Sequence, residues 1–183
     1  MSKKLNLGCG TDIKDTKRGW VNLDSADLPG VDVVHDLDVL PLPFPDSEFT
    51  HILCQSVVEH TEYIPLLKEL HRILEKGGTI KVQVPHFTSA TNFIDPTHRR
   101  MFSVRTFQFF VKDSSYSIRA YYFDFQFASI QNMRIVFEKK GLFFYNRIIE
   151  RIVNSSPTMQ HFYEDSFLSR LFPAFNIVLT LVK

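Results

Sequence analysis

At 183 residues, 44% hydrophobic and 22% charged, the chain has the size and composition of one soluble globular domain with a real core. A formal charge of +1 lacks the Lys/Arg excess of a nucleic-acid-binding surface, and no run approaches the roughly 18 apolar residues that span a bilayer. Cys9 and Cys54 make no disulfide framework, and the opening MSKKLNL holds no long apolar segment or cleavage site, so the expectation is a cytoplasmic protein.

In chain order, Leu5 to Leu7 is a short apolar run stopped by Gly8, followed by Val21 to Leu23 and by Val31 to Val34. Thr50 to Ser56 and Thr79 to Pro85 are β-branched runs of strand length. Between them Ile64, Leu67, Leu70 and Leu74 recur at helical steps, Pro65 falls in the first turn, and Gly77-Gly78 supplies a stop. Apolar strands joined by long connections predict a parallel sheet covered by helices on both faces. After Pro85 the periodicity fails. Most of the eighteen phenylalanines crowd into the second half, and residues 87 to 130 are expected to form an aromatic-rich lid over the acceptor site. The stretch around Gly141 predicts one or two strands, FNIVLTLVK predicts a terminal strand, and Trp20 is assigned to the core.

Ligands of an open parallel sheet bind at the carboxyl ends of its strands. Those ends carry Gly8-Cys9-Gly10, Asp24-Ser25, Asp36-Leu37, Gln55-Ser56 followed by Glu59-His60, and His86. Glycines let a backbone approach a ligand closely, and a carboxylate such as Asp24 has two acceptor oxygens for a ribose diol. Asp36 can accept from an adenine amine, with Leu37 over the ring. A dinucleotide site would need G-x-G-x-x-G opening a helix and an acid about 20 residues further on. Here Ile13 stands at the third glycine position, Asp24 comes too soon, and TDIKDTKRG has no helical stripe. With no helix N-terminus for a pyrophosphate and no G-x-x-x-x-G-K-[ST], an adenosine without phosphates fits better, which points to S-adenosylmethionine.

The stretches LNLGCG, VNLD, HDLDVLPLPFPDSEFTHILCQSVVEH and LLKELHRILEKGGTIKVQVPH resemble, in order and spacing, the small class I S-adenosylmethionine-dependent methyltransferases. The resemblance covers Leu5 to about His86. It implies a single α/β domain over residues 1–183 with a Rossmann-like, mostly parallel seven-stranded sheet whose last strand is antiparallel. It implies that Gly8, Cys9 and Gly10 lie beside the methionine and ribose, that Asp24 with Ser25 meets the ribose, that Asp36 and Leu37 meet the adenine, and that Gln55 and Ser56 lie near the sulfonium. Asn6 stands where many members carry an acid that serves the methionine amine, and the first connecting helix is reduced to a loop. The product would be S-adenosylhomocysteine.

His60, His86 and His98 fall on the ligand side, and each can serve as a general base or as a structural histidine. In DPTHRRMFS, Asp95, His98 and Arg99 are candidates to face the acceptor; the other reading is an Asp-Pro turn with solvated arginines. Cys9, Cys54 and His60 lack the convergent spacing of a metal centre, so no metal is expected. The absence of Asn-Pro-Pro-Tyr and of Pro-Cys argues against base methylation. The expected acceptor is therefore a small molecule such as a sugar, lipid precursor or metabolite. A protein or RNA methyltransferase, or a non-catalytic cofactor-binding protein on the same fold, are the alternatives.

Overall fold

The computed structural model describes residues 2–116 and 121–183. Positions 117–120 of the aromatic segment, Arg119 among them, lie outside the described residues. Strands β1 (Lys4–Leu7), β2 (Trp20–Asp24), β3 (Val33–Val34), β4 (Phe49–Gln55), β5 (Leu74–Pro85), β6 (Ser129–Val136) and β7 (Asn176–Val182) form one sheet in the order β3-β2-β1-β4-β5-β7-β6. The first five strands pair in parallel; β7 is antiparallel to both β5 and β6. The register sets Leu7 beside Leu23 on one side and Cys54 on the other, so Gly8, Asp24 and Gln55 emerge at one edge. The expected sheet and its antiparallel last strand are found.

The helix α1 (Tyr63–Ile73) buries Leu66, Leu67, Leu70 and Ile73, while Ile64 from the expected stripe is exposed. It ends at Ile73, because Leu74 is already extended and opens β5. The expected stop at Gly77-Gly78 therefore lies inside that strand, where Gly77 takes a φ of 78°. Of the one or two strands expected around Gly141, the first is found, since Met133 to Val136 belong to β6; after Gly141 the chain is helical instead, in α3 (Asn146–Val153), α4 (Pro157–Asp165) and α5 (Leu168–Leu171). Trp20 is half-buried on β2, edge-on to His51 with Lys4 over its ring.

The aromatic segment divides in two. A short helix α2 (Thr91–Ile94) and a turn through Arg99 follow β5 at the ligand edge. Beyond it Phe102, Phe107, Phe110, Phe125 and Phe127 are buried and pack on α1 through Tyr63 and His71. These aromatics form a second core layer over α1, and the part that reaches the ligand edge is the polar turn. The apolar area they bury, at roughly 25 cal/mol per Å2, gives that side of the sheet its stability.

Candidate functional site

Two buried asparagines replace the missing first helix. Asn6 donates to the Asp12 carbonyl at 2.8 Å and to Asn22 Oδ1 at 3.1 Å. Asn22 in turn accepts the Lys14 N–H at 2.8 Å and donates to the Lys14 carbonyl and to Asp32. Loop backbone groups that a helix would have paired are thereby satisfied by side chains. Asn6 is thus occupied in holding the glycine loop from behind and does not line the cleft.

That loop, with the ends of β2 and β4 and the turn after β3, bounds a cleft of about 340 Å3, within the usual range of about 300–1,000 Å3 for small-molecule sites. Gly8, Asp24, Ser25, Asp36, Leu37 and Ser56 line it, as the sequence predicts. Gly8 has a φ of 60°, and a Cβ there would lie 2.4 Å from Val57 Cγ2, so a side chain would be strained and would force Val57 to move. Asp24 Oδ2 accepts the Gly10 N–H at 2.7 Å and Oδ1 accepts the Ala26 N–H at 3.0 Å. Each oxygen keeps a further lone pair. Asp36 Oδ1 accepts the Asp38 N–H. Ser56 sits at a φ of 52°, a strained conformation for a residue with a side chain, and its N–H is tied to the Gln83 carbonyl.

Cys9, Gly10 and Gln55 flank this lining without being part of it. Cys9 is buried, donates its N–H to the Leu23 carbonyl, and burial together with the Asp24 charge raises its thiol pKa. Cys54 is fully buried and its thiol is pushed above the usual range by burial and by Glu59. Neither is a reactive thiolate.

The three candidate histidines separate sharply. His60 lines the cleft, and its pKa is lowered by burial and then by His98. His98 meets His60 edge-on, with ring centres 4.7 Å apart. His86 is a correction: it is fully buried, with Nδ1 on the Thr88 hydroxyl at 2.7 Å and Nε2 on Glu164 at 3.2 Å. A ring locked on both nitrogens and sealed from solvent cannot exchange a proton with an acceptor, so the expectation of a base at His86 fails.

Of the DPTHRR candidates, Arg99 lines the cleft, held by a 2.7 Å bond to Asp38 and by its N–H to the Glu59 carbonyl. Asp95 and His98 lie behind His60. Asp95 takes the N–H and the hydroxyl of Thr97, and Thr97 Oγ1 lies 2.8 Å from His60 Nδ1. Sequence reasoning gives no role to Asp38, Val57 and Thr61, which also line the cleft, or to Glu59. Glu59 is fully buried, neither carboxyl oxygen has a partner among the described residues, and burial raises its pKa to about 7. The signal was its place beside His60 in VVEH, which spacing alone does not tell from a helix-start acid.

Residues 9–82 match a family model described as a methyltransferase domain. That stretch, about two fifths of the chain, is similar to a methyltransferase domain. An uncharacterised protein of Methanocaldococcus jannaschii is 43% identical over 47 residues, a match that takes in 26% of this chain and 21% of that protein, so the chain spans about a fifth of that relative's length. A SAM-dependent methyltransferase from Archaeoglobus fulgidus superposes over all of this chain and 86% of its own, at 16% identity and a TM-score of 0.58. Phosphoethanolamine N-methyltransferase 2 from Haemonchus contortus, solved in complex with S-adenosyl-L-methionine, covers all of this chain and 48% of its own, at 13% identity and a TM-score of 0.61. At these identities the likeness to the methyltransferase structures is one of fold. Among the described residues no helix is long and apolar enough to cross a membrane.

Proposed function

We propose that the chain is a methyltransferase that binds S-adenosylmethionine in the strand-end cleft and transfers its methyl group to a small-molecule acceptor. Asp24 carries the reading. Its carboxylate is oriented by two backbone N–H groups, yet retains acceptor capacity toward a cleft whose opposite wall is the Gly8 backbone. That combination fits a ribose diol lying beside a peptide plane that no Cβ obstructs. Leu37 offers an apolar face and Asp36 an acceptor for the adenine, and Ser56 and His60 also line the cleft.

Bound S-adenosylmethionine supplies an electrophilic methyl on a sulfonium. The chain's own contribution is mostly position: a nucleophile held about 3 Å from the reacting carbon and in line with the leaving atom gains most of the available rate. His60, at the cleft with its pKa lowered, is the group placed to take a proton from a hydroxyl acceptor. Arg99, anchored on Asp38, is placed to hold an anionic part of the acceptor. The near-neutral chain favours a small acceptor over a polyanion.

The test is methyl transfer from radiolabelled S-adenosylmethionine to panels of small hydroxyl and amine metabolites, with bulk tRNA and a protein extract as separate arms. Label entering the small-molecule fraction, and lost in Asp24→Ala, is expected. Label entering only tRNA or protein would overturn the acceptor class, and no S-adenosylmethionine binding at all would overturn the function.

A further inference from the structure

We infer that Glu59, His60 and His98 form a binding site for a divalent transition cation of the zinc class, at the wall of the cofactor cleft. One ligand atom from each of the three residues lies within 4.8 Å of the other two. Two imidazoles and one carboxylate are a donor set suited to zinc, iron or cobalt rather than to magnesium, which prefers oxygen.

The hydrogen bonds around the cluster show which atoms are left over. An ionised Asp95 can only accept, so the Thr97 hydroxyl, 2.6 Å from Asp95 Oδ1, must donate to it. Thr97 Oγ1 then accepts from His60 Nδ1 at 2.8 Å, which puts the ring proton on Nδ1 and leaves the Nε2 lone pair available. His98 directs Nε2 toward Asp95 Oδ2 at 3.7 Å, while its buried Nδ1 has no partner among the described residues. Asp95 therefore backs His60 through the Thr97 hydroxyl and stands as a charge 3.7 Å from His98 Nε2, on the side of both rings away from the free lone pairs.

Glu59 supplies the independent observation. It is fully buried, and both carboxyl oxygens are without a hydrogen-bond partner among the described residues. Burying such a group as an unpaired charge costs several kcal/mol, which protonation, an ion pair or a metal offsets, and only the last also uses the free lone pairs of His60 and His98. Arg99, the arginine that lines this cleft, gives its guanidinium to Asp38 and its backbone N–H to the Glu59 carbonyl, so it does not neutralise the carboxylate. A cation between Glu59, His60 and His98 satisfies all three residues at once.

The consequence for the acceptor rests on the methyltransferase reading above: three protein ligands leave a zinc-class ion with an open position. With the ion bound, His60 is a ligand and no longer the base assigned above; because it lines the cleft, the acceptor class favoured is one that offers an oxygen donor to the ion. Metal binding itself does not depend on that reading.

The experiment is calorimetric titration of chelator-treated full-length protein with Zn2+, repeated with Co2+ for its visible absorbance, and with S-adenosylhomocysteine in a parallel cell. One saturable equivalent of Zn2+ is expected, with a Co2+ spectrum of nitrogen and oxygen ligation. Glu59→Gln and His98→Ala should each weaken Zn2+ by more than tenfold, and Asp95→Asn by about ten- to a hundredfold. Thermal unfolding separates this from misfolding, because metal should raise the melting temperature of the wild type but not that of Glu59→Gln. Absent or substoichiometric Zn2+ binding, or binding unchanged in both ligand variants, overturns the site. If Zn2+ binds and S-adenosylhomocysteine does not, the site stands and the methyltransferase reading fails; the reverse result leaves that reading standing and removes the site.

Discussion

Two buried carboxylate–histidine clusters lie near the ligand edge of the sheet, and they differ in what remains unbonded. Glu164 of α4 accepts from His86 at 3.2 Å, from the Ser103 hydroxyl at 2.6 Å and from the Val104 N–H at 2.8 Å, and the other His86 nitrogen is bonded to Thr88. Neither Glu59 carboxyl oxygen makes a hydrogen bond of normal geometry among the described residues, although the backbone N–H groups of Glu59 and Val57 draw its pKa down against burial, and His98 Nδ1 is bare. The same residue types thus make a closed lock in one place and an open set of donors in the other. Residue identity does not separate a structural cluster from a ligand site; the degree to which its hydrogen-bonding capacity is used does.

The largest effect should come from breaking the closed cluster. Glu164→Ala strands three donors, those of His86 and Val104 buried and that of Ser103 partly so, and should cost about 3–5 kcal/mol in urea unfolding; a loss below 1 kcal/mol would show that the lock carries no stability. The pH dependence follows from the same bonds. Burial works to raise the Glu164 pKa, but the bonds from His86, Ser103 and Val104 outweigh it and hold the carboxyl below its usual 4.5. A depressed carboxyl pKa gives stability that is complete above 4.5 and lost as pH falls through the lower folded value. Glu164→Gln should therefore flatten the acid limb of the stability curve, and an unchanged acid limb would contradict the assignment.

Next comes the frame of the open cluster. Gly8→Ala sets a Cβ against Val57 at a φ of 60°, just before the turn that carries Glu59 and His60. It should destabilise by about 1–3 kcal/mol and weaken ligand binding in the cleft, whereas Gly10→Ala, with open space around its Cβ, should cost only about 1–2 kcal/mol from its φ of 49°. Glu59→Gln should leave the metal-free protein as stable as the wild type or more so, because the amide removes a buried unpaired acid; a loss comparable to that of Glu164→Ala would erase the contrast between the clusters. The smallest effect belongs to the exposed Arg100–Glu62 pair, where Arg100→Ala should change stability by less than about 1 kcal/mol.

The sheet was legible because its strands are short apolar runs ended by Gly8, Asp24 or Ser56, and a period-two or buried pattern survives without tertiary knowledge. The cleft was legible for the same reason, since strand ends in a parallel sheet share an edge. What failed depended on partners distant in sequence. Whether His86 is a base or a lock is decided by Glu164, and the aromatic segment becomes core because α1 lies beneath it. Helices α3 and α4 were missed because apolar residues such as Ile148, Ile152 and Phe162 are exposed, which blurs the amphipathic period. Glu59 was passed over because nothing in a sequence distinguishes an exposed helix-start acid from a buried one.

The central claim is that Asp24 holds an adenosine cofactor at the edge of this sheet. Calorimetric titration of S-adenosylhomocysteine into wild type and Asp24→Ala tests it directly. The account predicts saturable one-to-one binding by the wild type. It predicts a loss of about 3–6 kcal/mol in the variant, from two hydrogen bonds to a charged acceptor at about 1.5–3 kcal/mol each, with the variant still folded. Equal affinity in the two proteins would contradict it.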